Sequence, residues 1–190
     1  MEFFDSFDAV AEGPTVDETG APVLSVIDGV LTRRLVNHPD HRGRLFEIVN
    51  LAKDPEFWAQ PIVHCYQFSV REAQVKGWGV HAEKDDRYTL IDGEMVTVLF
   101  DARFDSPTYG MEQVVHLSRS AIQQLLIPAG VWHCNVNVAP QETFLVNFPT
   151  KPYRYEAPDR MLLPWNSDRI PVRIDRFFPK QFQSWDESPD

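Results

Sequence analysis

Cysteine is scarce in this chain of 190 residues, with Cys65 and Cys134 the only two. Two thiols make no disulfide framework and, lacking a second Cys pair, no thiolate zinc knuckle. Both are expected to be small buried apolar residues. Positive charge is also short: 18 Lys and Arg stand against 28 Asp and Glu, a net charge of −10. That balance argues against nonspecific nucleic-acid binding, which depends on neutralising phosphates. No apolar run approaches the roughly 20 residues of a membrane span, and Met1 to Gly20 has neither the basic start nor the apolar core of a secretion signal. The expectation is a soluble cytoplasmic protein with no membrane and no nucleic-acid partner. Internal repeats and low-complexity segments are missing too, which excludes a repeat array.

The acids are concentrated at the ends. Residues 1–22 carry six acids and no base, and residues 185–190 carry three more, which leaves 19 acids against 18 bases in residues 23–184. This distribution predicts an acidic N-terminal extension (1–22), one domain (23–184) and an acidic C-terminal tail (185–190). The near-neutral body does not exclude an anionic small molecule.

From Val23 the sequence reads as short β-branched and aromatic runs broken by turns, the mark of an all-β barrel or sandwich. Predicted strands are Val23–Ile27, Leu31–Val36, Leu45–Asn50, Val63–Val70, Lys76–His81, Arg87–Leu90, Glu94–Asp101, Glu112–Leu117, Gln124–Ile127, Trp132–Asn137 and Thr143–Phe148. Lys53–Trp58 and Ser118–Gln124 are helical candidates, and the proline-rich stretch after Thr150 predicts irregular connection with a short helix or two. Double-sheet jelly rolls, including cupins, fit this pattern. The two-residue period of a strand puts Trp78 opposite His81, and Trp132 and Cys134 opposite His133 and Asn135.

Two motifs carry histidine. Pro128 to Asn137 has the spacing P-x-G-x-x-H-x-x-x-N around His133, and His81, Asp86 and Gly93 have the spacing H-x4-D-x6-G. Both resemble cupin motifs. Gly79 takes the place of the first His of the usual H-x-H pair. His81, Asp86 and His133 together offer two imidazoles and a carboxylate, a set that suits Fe(II), Mn(II) or Zn(II). The alternative is two hydrogen-bonded pocket histidines and a surface turn acid, with no metal.

More of the chain resembles one cupin family. Asp40-His41-Arg42-Gly43 with Glu47, then Gly79-Val80-His81, Asp101-Ala102-Arg103 with Ser106–Gly110, Pro128–His133 and Trp165-Asn166-Ser167-Asp168 are similar, in order, to motifs of the dTDP-4-dehydrorhamnose 3,5-epimerase family. The resemblance implies a homodimeric jelly roll that epimerises a 4-keto-6-deoxy nucleotide sugar without metal or other cofactor. By resemblance His81 is the base and Asp168 its carboxylate partner, while Arg42 and Glu47 bind the nucleotide. Abstraction of a proton alpha to a ketone needs a positioned base, a stabilised enolate and an acid on the other face. His133, with Lys76, Lys84, Arg87 or Arg103 as a neighbouring cation, is expected to meet the substrate.

Departures set the expected limits. Asn147 stands where the family has a Tyr acid, and an amide cannot deliver that proton. Trp78 replaces an Arg. Tyr88, Tyr153 or Tyr155 is open as a substitute phenol, against a plain packing role. Arg42 with Glu47, and Arg103 with Asp101, have structural readings beside the ligand-binding ones. His64 and His116 read as ordinary surface or core residues, and Trp132 as core or as a sugar-facing ring. Three function readings follow: an epimerase or isomerase of a nucleotide-linked keto sugar, a metal-dependent cupin enzyme, and a noncatalytic sugar-nucleotide binder.

Overall fold

Alternation of side chains across a strand lets each of two sheets bury one face against the other, and the computed structural model realises this arrangement. It describes residues 26–178 together with residues 14, 16, 18 and 19. The tail 185–190 and most of the extension 1–22 therefore lie outside the described residues.

Twelve strands are present among the described residues: β1 (Leu31–Arg34), β2 (His38–Asp40), β3 (Gly43–Leu45), β4 (Tyr66–Val70), β5 (Val75–Val80), β6 (Asp86–Asp92), β7 (Glu94–Asp101), β8 (Glu112–Ser118), β9 (Gln123–Ile127), β10 (Val131–Asn137), β11 (Thr143–Asn147) and β12 (Met161–Leu162). One sheet has the order β1-β9-β6-β11-β4, the other β12-β5-β10-β7-β8, and every recorded pairing is antiparallel. This is the predicted all-β jelly-roll architecture. The β2–β3 hairpin stands apart from both sheets, with all six of its residues exposed.

Three apolar clusters hold the layers. The inner faces meet through Leu90, Leu99, Leu125, Leu145 and their neighbours, all fully buried; each such side chain contributes roughly 1.5–3 kcal/mol on leaving water. The outer face of the second sheet, with Trp78, Val98 and Cys134, is covered by Ile170, Val172 and Ile174 of the C-terminal segment. The outer face of the first packs Phe57, Trp58 and Phe148. The polar ends of the inner faces are left to form a pocket.

Several expectations change at this level. Of Val23–Ile27, residues 23–25 lie outside the described residues, and Val26 and Ile27 are not in a strand. Leu45–Asn50 is mostly irregular, because the strand there is β3 and ends at Leu45. Neither Lys53–Trp58 nor Ser118–Gln124 is helical; the first is a run of turns and the second leads into β9. Stretches this short rarely repay helix nucleation. Among the described residues the C-terminal segment holds one 3-10 turn, Asp175–Phe177. Cys65 is exposed rather than buried, since it points away from the face that His64, Tyr66 and Phe68 present to the pocket.

Two glycines fix the geometry of the motifs. Gly93 turns β6 into β7 at φ +99°, and a Cβ there would lie 2.2 Å from Thr143 Oγ1. Gly130, at φ +83°, donates its N–H to the His81 carbonyl at 2.7 Å, tying one histidine motif to the other.

Candidate functional site

Between the sheets lies a cavity of about 520 Å³ that reaches the surface. Strand alternation decides what faces it. On β10, His133 and Asn135 point in, while Trp132 and Cys134 join the outer cluster. Trp78 likewise points outward, where its indole N–H donates to the Trp165 carbonyl at 3.2 Å. Neither Trp78 nor Trp132 is therefore a stacking platform for sugar. The second sheet contributes His81, just after β5, and His133; the first contributes Tyr66 from β4 and Asp86 and Tyr88 from β6.

Asp86 is the centre of this group. It is 2% exposed, so the alternative of a surface turn acid does not hold. Its Oδ2 lies 3.2 Å from His81 Nε2 and 3.8 Å from His133 Nε2, and Tyr88 donates its hydroxyl proton to the same oxygen at 3.4 Å. Its Oδ1 accepts from Asn147 Nδ2 at 2.7 Å. Burial works to raise the carboxyl, but the His81 hydrogen bond, the charges of His133 and His81 and the Asn147 hydrogen bond outweigh it, holding Asp86 at about 2.

His81 is oriented from behind. Its Nδ1 is in hydrogen-bond contact with the Asp159 carbonyl oxygen, so Nδ1 carries a proton and Nε2 is the nitrogen presented to the pocket. The Asp159 carboxylate meanwhile accepts the N–H groups of Ala82 and Glu83 at 2.8 and 2.9 Å, pinning the loop that carries His81. His133 Nδ1 faces the Val131 carbonyl at 3.3 Å. Burial lowers the His133 pKa more than the Asp86 charge raises it, which favours the neutral ring.

The Asn147 amide is fixed by its partners. Its Oδ1 accepts the Arg87 main-chain N–H at 2.9 Å, so its Nδ2 must face Asp86 and the Tyr66 hydroxyl, the latter at 2.8 Å. Desolvation, then the Asp86 charge, push Tyr66 up to about 12. Tyr88 is raised further by the same two causes in the same order. Both phenols hold their protons at neutral pH.

The remaining expected site residues separate into two groups. Lys76 lines the cavity together with Lys84 and Arg160, three cations against one carboxylate, which suits an anionic ligand. Arg87 does not face it: the guanidinium donates to the carbonyls of Phe148, Gln60 and Pro61 at 2.8–2.9 Å and lies over the Trp58 ring. Arg103 grips Asp101, which also accepts from Ser106 and Thr108, and reaches the Asp28 carbonyl. These contacts lock the β7–β8 connection. Arg42 pairs with Asp40 at 2.6 Å on the separate hairpin, and Glu47 accepts from Asn50 and Lys53. Asp168 is exposed on the segment covering the outer sheet face and is not brought to His81, whose neighbours are Asp86 and the Asp159 carbonyl.

Sequence reasoning passed over Tyr66, Asp159 and Arg160 and read the cavity-lining His64 as an ordinary surface or core residue. Tyr66 and His64 had a signal: His64, Tyr66 and Phe68 alternate, and all three line the cavity. His64 is thus a pocket residue, whereas His116 is exposed as expected.

Residues 25–186 match the model of the dTDP-4-dehydrorhamnose 3,5-epimerase family. The chain is 31% identical over 141 residues to the probable low-salt glycan biosynthesis epimerase Agl13 of Haloferax volcanii, covering 74% of this chain and 89% of that one. It is 29% identical over 145 residues to the spore coat polysaccharide biosynthesis protein SpsL of Bacillus subtilis, covering 76% and 94%. Among solved structures, a dTDP sugar isomerase from Desulfovibrio desulfuricans superposes with a TM-score of 0.71 at 24% identity, over 77% of this chain and 91% of the other. A variant of ChmJ, a 3'-monoepimerase from Streptomyces bikiniensis, in complex with dTDP gives the same TM-score at 16% identity, over 82% and 79%. With the sheets, the histidine motifs and the matched span in agreement, this chain belongs to the dTDP-4-dehydrorhamnose 3,5-epimerase family.

Proposed function

We propose that the protein is a cytoplasmic, homodimeric epimerase that inverts a stereocentre alpha to the ketone of a nucleotide-linked 4-keto deoxy sugar, without a metal. The observation that carries this reading is His81, whose Nδ1 is held by a main-chain carbonyl while its Nε2 faces the cavity beside Asp86. In the neutral ring, whose one proton is on Nδ1, Nε2 takes the proton from carbon 3 or 5, and the Nε2–H so formed donates to the Asp86 carboxylate, which stabilises the imidazolium. Asp86 therefore serves the purpose for which the sequence suggested Asp168, from the other side of the ring. His133 with Lys76 or Lys84 stabilises the enolate oxygen, and the cationic rim attracts the diphosphate.

Arg42 stands at the turn of the exposed β2–β3 hairpin and Glu47 just beyond its end, both outside the two main sheets of this chain, a disposition that supports delivery to the pocket of a second copy, where they would hold the nucleotide. The direct test of the reaction is deuterium incorporation from solvent at carbon 3 or 5 of a dTDP-4-keto sugar. Incorporation that vanishes in His81→Ala supports the reading, and none above the His81→Ala background overturns it for that substrate.

A second reading rests on the convergence of His81, Asp86 and His133, whose ligand atoms all lie within 4.8 Å of one another. Separations of 3.2 and 3.8 Å suit ligands arranged about one transition-metal ion roughly 2.0–2.2 Å from each. Elemental analysis of protein purified without chelator separates the two: a stoichiometric metal lost in His133→Ala favours this reading, and metal-free protein with full turnover ends it.

A further inference from the structure

Inverting a carbon centre requires two proton transfers on opposite faces. A single base that takes and returns the proton gives exchange with retention. The two-sheet pocket meets that demand in an asymmetric way. His81 and His133 come from the second sheet, just after β5 and on β10, whereas the phenols of Tyr66 and Tyr88 come from the first, with His64 beside Tyr66 just before β4. The substrate cavity lies between a wall bearing the His81 and His133 rings and a wall bearing the two phenols.

Of those phenols, one is free to give up its proton. Tyr88 is 4% exposed, its ring is packed at 5.2 Å against Phe68, and its hydroxyl proton is directed to Asp86. Tyr153 also lines the cavity, but it belongs to the irregular C-terminal segment, outside both sheets, and packs edge-on against Tyr155. Tyr66 combines the two requirements. It is 37% exposed on a sheet strand that faces the cavity, and β4 pairs with β11 so that Tyr66 lies directly across from Asn147. The Asn147 amide donates to the Tyr66 oxygen, which orients the hydroxyl, and among the described residues no acceptor is recorded for its own proton. A donor on the oxygen also stabilises the phenolate left after proton transfer.

We infer that Tyr66 is the catalytic acid of this chain, delivering a proton to the substrate carbon on the face opposite His81, with Asn147 as its positioning residue. The inference rests on the epimerase reading above. The step balances. His81 Nε2 takes the proton from carbon, and the C–H electron pair passes into the enolate. The enolate pair then forms a new C–H bond with the Tyr66 proton as the carbonyl is restored. Imidazolium and phenolate remain, and water carries the proton from one to the other through the open side of the pocket.

The test follows a dTDP-4-keto sugar in D2O, scoring deuterium uptake and inverted product separately. Wild type is expected to give both. Tyr66→Phe is expected to retain dTDP affinity and deuterium uptake within about tenfold while inversion falls by about 100-fold or more, the usual contribution of a general acid. Inversion near the wild-type rate overturns the assignment, and so does loss of uptake and inversion together with dTDP affinity intact. Absence of both signals in wild type defeats the epimerase reading instead. Should Tyr66→Phe fail to fold, replacing Tyr66 with 3,5-difluorotyrosine keeps the shape and acidifies the phenol. An alkaline loss of inversion then moves to lower pH, and an unmoved profile overturns the inference.

Discussion

Asn147 holds Asp86: the amide Nδ2 donates to the carboxylate Oδ1 at 2.7 Å, across the β6–β11 pair and 61 residues along the chain. Asn147 is a connector, which joins the carboxylate, the Arg87 main chain and Tyr66. Asn147→Leu strips all three of a partner while keeping volume. Leaving buried polar groups unmatched costs about 2–4 kcal/mol here, so a thermal melt is expected to fall by roughly 4–16 °C in a protein of this size. A melt within 2 °C or so of wild type would mean the network contributes little.

Asp86 makes stability depend on acid in a defined window. Its folded value of about 2 lies below the ordinary carboxylate value of 3.8, so its contribution is complete above about pH 4 and is lost as pH falls toward 2. The linkage amounts to about 2 kcal/mol. Urea unfolding at pH 7 and pH 2.5 is expected to give a smaller pH difference for Asp86→Asn than for wild type, by about that amount. Equal differences would place the stabilisation elsewhere.

Arg87 is buried on three main-chain carbonyls, and Lys has neither the planar fork nor the ring-stacking face to replace it. Arg87→Lys is expected to lose about 2–3 kcal/mol of stability with dTDP affinity within twofold of wild type. Weaker dTDP binding at unchanged stability would restore the ligand-binding role that the sequence suggested.

Arg42 tests the assembly. If the β2–β3 hairpin serves a second copy, Arg42→Ala and His81→Ala proteins are each inactive alone, and mixing them restores activity by forming sites with both residues intact. Sedimentation should give twice the chain mass of 21.9 kDa. A monomer, or mixtures no more active than their parts, would reject the shared site.

The sequence predicted what periodicity can carry. β7 runs over Glu94–Asp101 as expected, and the inward His133 with its outward neighbours Trp132 and Cys134 follows from a period of two. Contacts made by the main chain were not legible: the Asp159 carbonyl behind His81 could belong to any residue. Nor was the Asp86–Asn147 pair, because each residue reads as an ordinary polar position until the register of β6 against β11 is known. Lys53–Trp58 has helix-forming residues, but Phe57 and Trp58 are drawn into the cluster on the outer sheet face and the backbone follows them as turns.

Gly93 has a consequence for charge. By holding a sharp turn against Thr143, it sets which residues of β6 look inward. Asp86, Tyr88 and Leu90 do so, while Arg87 faces the opposite side under Trp58. A slip of one residue would exchange the two rows, replacing a carboxylate with a guanidinium at the heart of the cavity. This hairpin bend therefore acts as the polarity selector of the pocket, at a position that does not line the cavity and ionises at no pH.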